Sequence, residues 1–179
     1  DKESKAIDFL FPIESNQLKE VFKDITSENT FIASWTTTPW TIPSNKAICF
    51  NSKFKYELVE LKSKGKIFNL VICSDLIKDT LERYEIENFV KLGNTTGDKL
   101  SDLFCSHPFL DQKSPLISGD HVTAEMGTGF VHTAPAHGLE DYEACKELEI
   151  DLTSTVNADG KFQEDIPHVR KQNIKDANE

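Results

Sequence analysis

Three consecutive threonines, Thr36, Thr37 and Thr38, lie in the run W-T-T-T-P-W-T-I-P-S-N from Trp35 to Asn45. Each hydroxyl can donate and accept a hydrogen bond, so the triplet could hold a water or read the polar groups of a ligand. In an extended segment alternate side chains face opposite ways, and at most two of the three hydroxyls then line one pocket. Pro39 and Pro43 exclude both helix and central strand here. They also stiffen the turn, which lowers the entropy cost of holding the hydroxyls in place. Asn45 adds an amide able to read a polar group.

A second run, G-T-G-F-V-H-T-A-P-A-H-G-L-E-D-Y from Gly127 to Tyr142, sets His132, His137, Glu140 and Asp141 among small and rigid residues. Gly127 and Gly129 permit close backbone approach, either to a ligand or to another strand. The run is no phosphate loop: G-x-x-x-x-G-K-[ST] is absent, and G-x-G-x-x-G fails at Val-His. His132 and His137 with Glu140 or Asp141 lack the spacing of a zinc site, and no Ser or Cys sits in a G-x-S-x-G elbow. Each histidine reads as a hydrogen-bonded structural residue or as a working one. Asp141 falls in the first turn of a predicted helix with Gly138 at its N-cap, where amides and dipole favour the ionised carboxylate. It reads equally as a helix-capping group, a role Glu140 could share, and as a fixed anion for a ligand ammonium.

The elements that must position these runs are short. Strands are predicted over 4–13 (ending at Pro12), 30–35, 46–50, 56–61 and 67–73, the last two joined by the turn K-S-K-G-K. Ser15 is read as the cap of a short helix carrying Leu18, Val21 and Phe22. Ser74 is read as the cap of a helix over 75–84, with Leu76, Ile77 and Leu81 inward. Residues 88–92 read as extended, with G-N-T-T-G-D as the following turn, and 103–122 as strand and loop broken at Pro108 and Pro115. A strand over 130–133 leads through a loop to a helix over 139–149, with Leu139, Tyr142, Cys145 and Leu148 on one stripe. A G-K-F turn follows Val156, and 157–179 reads as polar and frayed. The pattern is that of an α+β fold, a barrel-like and mostly antiparallel β core with two or three peripheral helices, forming one domain over 1–179.

Composition narrows the function classes. Charged residues make up 28% and hydrophobic ones 38% of the 179, the balance of a soluble globular domain. No apolar run approaches the ~18–20 residues that span a bilayer, and the start lacks a signal peptide's basic and apolar segments. The start without Met reads as that of a piece of something larger. Cys49, Cys73, Cys105 and Cys145 are scattered, without C-x-x-C, and read as reduced, buried thiols of an intracellular protein. The net charge of −10 argues against an independent nucleic-acid-binding module, which normally presents a basic face.

Both runs resemble the editing domain, connective peptide 1, of the isoleucyl-tRNA synthetase family. The first is similar to that family's threonine-rich motif, where valyl and leucyl relatives usually read T-T-R-P-[ED]-T. The second is similar to its second motif, in which the isoleucyl form carries His at 132. Softer similarity extends to S-G-D-H-V-T at 118–123 and to G-K-F near 160. The resemblance implies a hydrolase domain inserted into the Rossmann domain of a class I synthetase. The synthetic-site signatures H-I-G-H and K-M-S-K-S are absent, so this piece is not expected to activate amino acids.

On that resemblance Asp141 would bind the α-ammonium of valine misattached to tRNA(Ile). Thr36, Thr37 and Thr38 would surround the ester and the terminal adenosine, and His132 would line the amino-acid pocket and exclude isoleucine. Trp35, Trp40, Asn45, Gly127, Thr128, Gly129, Phe130, Ala134, Pro135 and His137 are the expected substrate-binding residues. A hydrophobic pocket resolves one methylene by only about 1–3 kcal/mol, which is why a second, hydrolytic sieve is useful. The implied reaction is ester hydrolysis by an oriented water, without metal or cofactor. The implied partner is the valine-bearing 3′ end of tRNA(Ile), delivered by the rest of the synthetase, with valine and valyl-adenylate analogues as smaller ligands. The resemblance also implies a monomeric piece with no membrane contact, in the cytoplasm or an organelle. The alternative is a catalytically silent module that recognises the aminoacylated 3′ end.

Overall fold

Strands and helices alternate irregularly along residues 6–178, the part of the chain that the computed structural model describes. The strands are β1 (Ile7–Pro12), β2 (Thr30–Thr36), β3 (Ala47–Phe50), β4 (Lys55–Ser63), β5 (Lys66–Cys73), β6 (Phe89–Thr96), β7 (Phe104–Ser106), β8 (Lys113–Ser118) and β9 (Phe130–Thr133). The helices are α1 (Ser15–Leu18), α2 (Ile77–Arg83) and α3 (Leu139–Glu147). The strands form a single mixed sheet in the order β6-β4-β5-β2-β9-β3-β8-β7, with β1 on the other edge of β2. Antiparallel ladders join β1 to β2, β3 to β9, β4 to β5 and β6, and β7 to β8. Parallel ladders join β2 to β5 and β9, and β3 to β8. The fold is thus the α+β, curled, predominantly antiparallel architecture expected from the sequence.

Strand β2 forks the sheet. Its first residues, Thr30 to Ile32, pair with β5, whereas Trp35 pairs with Val131 of β9. Between the two partners the carbonyl of Ala33 has no ladder mate on that edge. Thr128 supplies one: its hydroxyl donates to Ala33 O at 2.6 Å, and its own carbonyl accepts from Cys73 N–H at 2.9 Å. A buried carbonyl left unpaired would be costly, so the threonine of G-T-G stitches the fork. Gly129 is required for the same junction. Its φ is +82°, and a Cβ there would lie 2.2 Å from Cys73 Cβ. The choice between ligand approach and strand approach is resolved here in favour of the strand.

Both faces of the central strands are buried. Tyr56, Leu58, Val71 and Cys73 join the larger core inside the curl, with Phe11, Ile48, Phe50 and Phe130. The alternate residues Val59, Leu61, Leu70 and Ile72 face the other way and pack under Ile77 and Leu81 of α2. Two-sided burial is why β5 reads as an apolar run rather than an alternation. All four cysteines are free and buried. Burial pushes the Cys49 thiol up to about 12, so it stays protonated. Among the described residues no helix is long and apolar enough to cross a membrane.

Several local expectations are corrected. The start of the segment predicted over 4–13 lies outside the described residues. Ser15 lies within α1 rather than capping it, and its hydroxyl turns instead to Ser27 O and Thr30 Oγ1. Ser74 opens a 3-10 turn, Ser74–Leu76, with no capping bond, although Leu76, Ile77 and Leu81 are inward as expected. Of G-N-T-T-G-D, residues 93–96 continue β6 and only Gly97 onward turns. Gly97 is the glycine the turn needs, because a Cβ there would meet Asn51 O at 2.3 Å. Pro115 lies inside β8: Leu116 N–H points to Leu103 O, so Pro115 faces the other edge, where pairing with β3 begins only at Leu116. On α3 the predicted stripe is not a core face. Leu139 is 72% and Leu148 55% exposed, Tyr142 is exposed, and Cys145 alone is buried. Near the C-terminus Val156 bridges to the buried Phe162, and the 157–160 turn carries the G-K-F signal.

Candidate functional site

The two motifs meet in one cavity of about 500 Å³. Trp35, Thr36, Thr37 and Thr38 form one wall, and Val131, His132, His137 and the start of α3 from Gly138 to Asp141 form the other. All three threonines line it, contrary to the limit of two set by strand alternation. The reason is that β2 ends at Thr36, and Thr38 adopts φ −128°, ψ 68°, outside the extended geometry that enforces alternation. Thr36 Oγ1 accepts from Thr38 N–H at 3.1 Å and so closes the bend. Thr37 is exposed, and its hydroxyl has no protein partner among the described residues.

Pro39 and Pro43 do not exclude helix after all. They sit in a 3-10 turn, Pro39–Ser44, with Pro39 in the first turn, where the missing N–H would have had no partner anyway. The turn buries Thr41, Ser44 and Asn45 behind the threonines. Thr41 Oγ1 donates to Thr38 O at 2.7 Å and lies 2.8 Å from His132 Nε2. On the other side of the ring, His132 Nδ1 lies 2.7 Å from Asn45 Nδ2. His132 is 5% exposed, and both its nitrogens are engaged by protein. Burial, with His107 and His137 nearby, lowers its pKa to about 3, so the ring is neutral at pH 7.

His137 stands at the other end of the cavity. Its Nε2 lies 3.0 Å from Ser44 Oγ, and its ring meets Trp40 edge-on at 4.8 Å. Ser44 Oγ also meets Thr155 Oγ1. Trp40 turns away from the threonines and, with Pro39, helps line a separate apolar cavity closed by Phe109 and Phe162.

Asp141 is the anionic group on the α3 wall beside which the exposed Glu140 stands. Its Oδ2 accepts from Ala134 N–H at 2.8 Å, and its Oδ1 makes no hydrogen bond among the described residues. The carboxylate therefore clamps the preceding loop rather than capping its own helix. Burial raises its pKa, while the Ala134 N–H and the charge of His121 pull it back and Glu140 pushes it up again. The helix dipole alone suggested the opposite direction. A carboxylate held partly desolvated, with one oxygen uncommitted, is suited to pairing with a cation.

The expected site residues thus divide. Trp35, Thr36, Thr37, Thr38, His132, His137 and Asp141 converge on the cavity. Asn45 stands one bond behind it, and Ala134 holds Asp141. Gly127, Thr128, Gly129 and Phe130 belong to the fork and the core, and Pro135 is buried in the loop. Thr41, Ser44 and Ser114 were not singled out from the sequence. The first two lie within the first motif, where adjacency to the triplet was a signal, whereas Ser114 carried none.

The curled mixed sheet that carries this cavity is the fold of class I aminoacyl-tRNA synthetase editing domains. The chain belongs to that class: the family described as "Leucyl-tRNA synthetase, editing domain" matches residues 41–178. Within it the sequence is of the isoleucyl type. It is 43% identical to the isoleucine--tRNA ligase of Neisseria meningitidis serogroup C over 99% of this chain and 19% of that one. It is 40% identical to that of Francisella tularensis subsp. novicida over 92% of this chain and 17% of that one. The chain therefore spans about a fifth of the length of these relatives. In fold it is similar to the Plasmodium falciparum cytosolic leucyl-tRNA synthetase editing domain, with a TM-score of 0.63 at 11% identity over 82% of this chain and 66% of that one.

Proposed function

We propose that this chain hydrolyses the ester of valine misattached to tRNA(Ile) and excludes isoleucine from the same cavity. The reading rests on one observation: Thr36, Thr37 and Thr38 face Asp141 across a single cavity. A valyl ester offers complementary groups, an α-ammonium at one end and ester and ribose oxygens at the other. Asp141 Oδ1 takes the ammonium. The threonine hydroxyls surround the ester and the terminal adenosine and orient the attacking water. The wall at His132 limits side-chain size, and its rigidity sharpens a discrimination that a yielding pocket gives poorly.

His132 is no ready general base, because both nitrogens of its ring are already engaged. Positioning and hydrogen bonding to the developing oxyanion then supply the rate, helped by a hydroxyl of the terminal ribose. Asn45, Ala134 and His137 support the site, and Trp35 forms its edge.

We read residues 1–179 as one editing domain carried within a longer synthetase, monomeric as a piece and cytoplasmic. The remainder of the synthetase delivers the 3′ end. The net charge of −10 accords with a domain that does not grip tRNA by itself. Valine and valyl-adenylate analogues should compete for the cavity.

The test is deacylation of Val-tRNA(Ile) against Ile-tRNA(Ile) by the wild-type chain and by Asp141→Ala. Preferential loss of valine, abolished by the substitution, is expected. Equal hydrolysis of both substrates sinks the size sieve. Binding of the aminoacylated end without hydrolysis identifies a recognition module instead.

A further inference from the structure

The hydroxyls of the cavity are held from behind by a chain of hydrogen bonds that starts outside both motifs. Ser114, fully buried on β8, donates to Asn45 Oδ1 at 2.6 Å. Asn45 Nδ2 has two N–H groups: one reaches Ala47 O at 2.8 Å and the other His132 Nδ1 at 2.7 Å. A backbone carbonyl can only accept, so turning the amide over would set Oδ1 against Ala47 O and strand the Ser114 donor. His132 Nδ1 must then accept, and the ring proton resides on Nε2. That proton goes to Thr41 Oγ1 at 2.8 Å, while Thr41 gives its own proton to Thr38 O at 2.7 Å. The remaining lone pair of Thr41 faces the Thr38 hydroxyl at 3.3 Å, and Thr36 Oγ1 is the other neighbour of that hydroxyl at 3.4 Å.

We propose that Ser114 is a positioning residue of this site: by pinning the Asn45 amide it fixes His132 as the Nε2–H tautomer and so turns the Thr41 hydroxyl to donate to Thr38 O, which holds the backbone of the threonine run. This rests on the reading of the cavity as an aminoacyl-ester site, and it adds the direction of the protons from Ser114 through His132 to Thr38 O.

The test combines kinetics with nitrogen NMR of the chain labelled with ¹⁵N-histidine at pH 7. In the wild type, His132 Nε2 should show the shift of a protonated ring nitrogen and Nδ1 that of an acceptor. Ser114→Ala should move both shifts toward a mixture of tautomers and lower kcat for Val-tRNA(Ile) about tenfold, with KM within about twofold, as expected when a supporting residue loosens reacting geometry. Asn45→Asp offers an acceptor to Nδ1 and should transfer the ring proton there, so it supplies the same test should Ser114→Ala not fold. A wild-type proton on Nδ1 overturns the proposal. So does a Ser114→Ala variant that retains wild-type shifts, whatever its rate, because the serine would then act only through the fold. If the wild-type chain hydrolyses nothing, the ester-hydrolase reading fails, and the tautomer shifts alone decide the proton order.

Discussion

Ala134 N–H donates to Asp141 Oδ2 at 2.8 Å, so the loop leaving β9 and the first turn of α3 are fastened through one carboxylate oxygen. The other oxygen is left to the cavity. Asp141 thus has a conformational role that an uncharged isostere could keep and an electrostatic one that it could not.

Asp141→Asn separates the two. The folded-state pKa of Asp141 lies above its ordinary value of 3.8, so its ionised form costs stability at every pH above that raised value, and the cost fades as pH falls to 3.8. Asparagine removes the charge and can still accept from Ala134. Calorimetry at pH 7 should therefore show an unchanged or higher melting temperature, while deacylation of Val-tRNA(Ile) falls about 100-fold through loss of the charged pair. A large drop in melting temperature would show that the clamp, not the charge, dominates.

The three threonines should not respond alike. Thr36 Oγ1 closes the bend onto Thr38 N–H, whereas Thr37 bonds to nothing among the described residues. Thr36→Val is expected to cost about 0.5–1.5 kcal/mol as well as activity. Thr37→Val should stay within about 0.5 kcal/mol of wild type and reduce only kcat or KM. Denaturant unfolding beside steady-state kinetics checks both.

At the fork, Thr128→Val removes the hydroxyl bonded to Ala33 O at 2.6 Å. A buried carbonyl then loses its partner on that edge, at a cost of about 1–3 kcal/mol. The midpoint of urea unfolding should fall with an unchanged slope.

Acid should expose the buried imidazole. Folding lowers the pKa of His132 from 6.5 to about 3, so the unfolded chain binds a proton that the folded chain refuses in that interval. Stability is full above pH 6.5 and falls as pH drops toward 3, by about 1.4 kcal/mol per pH unit for one proton. His107, whose pKa is also lowered by burial, contributes in the same direction. His132→Gln should make the slope between pH 6 and 4 shallower by about one proton. An unchanged slope would mean that His132 titrates normally in the folded state.

What was legible in the sequence follows from how local its causes are. Strands β2, β3, β5 and β9 were readable because each is a short apolar run with β-branched or aromatic residues, and the meeting of the two motifs was implied by the family resemblance, which sets both around one substrate. The role of G-T-G was not readable. Which neighbour a glycine approaches depends on Cys73, more than fifty positions away in the chain and next to it only after folding. The α3 stripe misled because helical periodicity marks a face without saying what covers it. Ser114 was invisible because nothing near it in sequence is unusual, and its importance lies in a single bond to Asn45.

The division of β2 between two partners has a mechanical consequence. Up to Trp35 the strand is gripped on both sides, by Asp8 of β1 and Val131 of β9. Beyond Thr36 no ladder holds it. At the threonines the grip therefore passes from the ladder to the 3-10 turn behind them, where Thr41 donates to Thr38 O at 2.7 Å. Held by the sheet at one end and by that bond at the other, the hydroxyls keep their places, so a substrate must come to them rather than they to it.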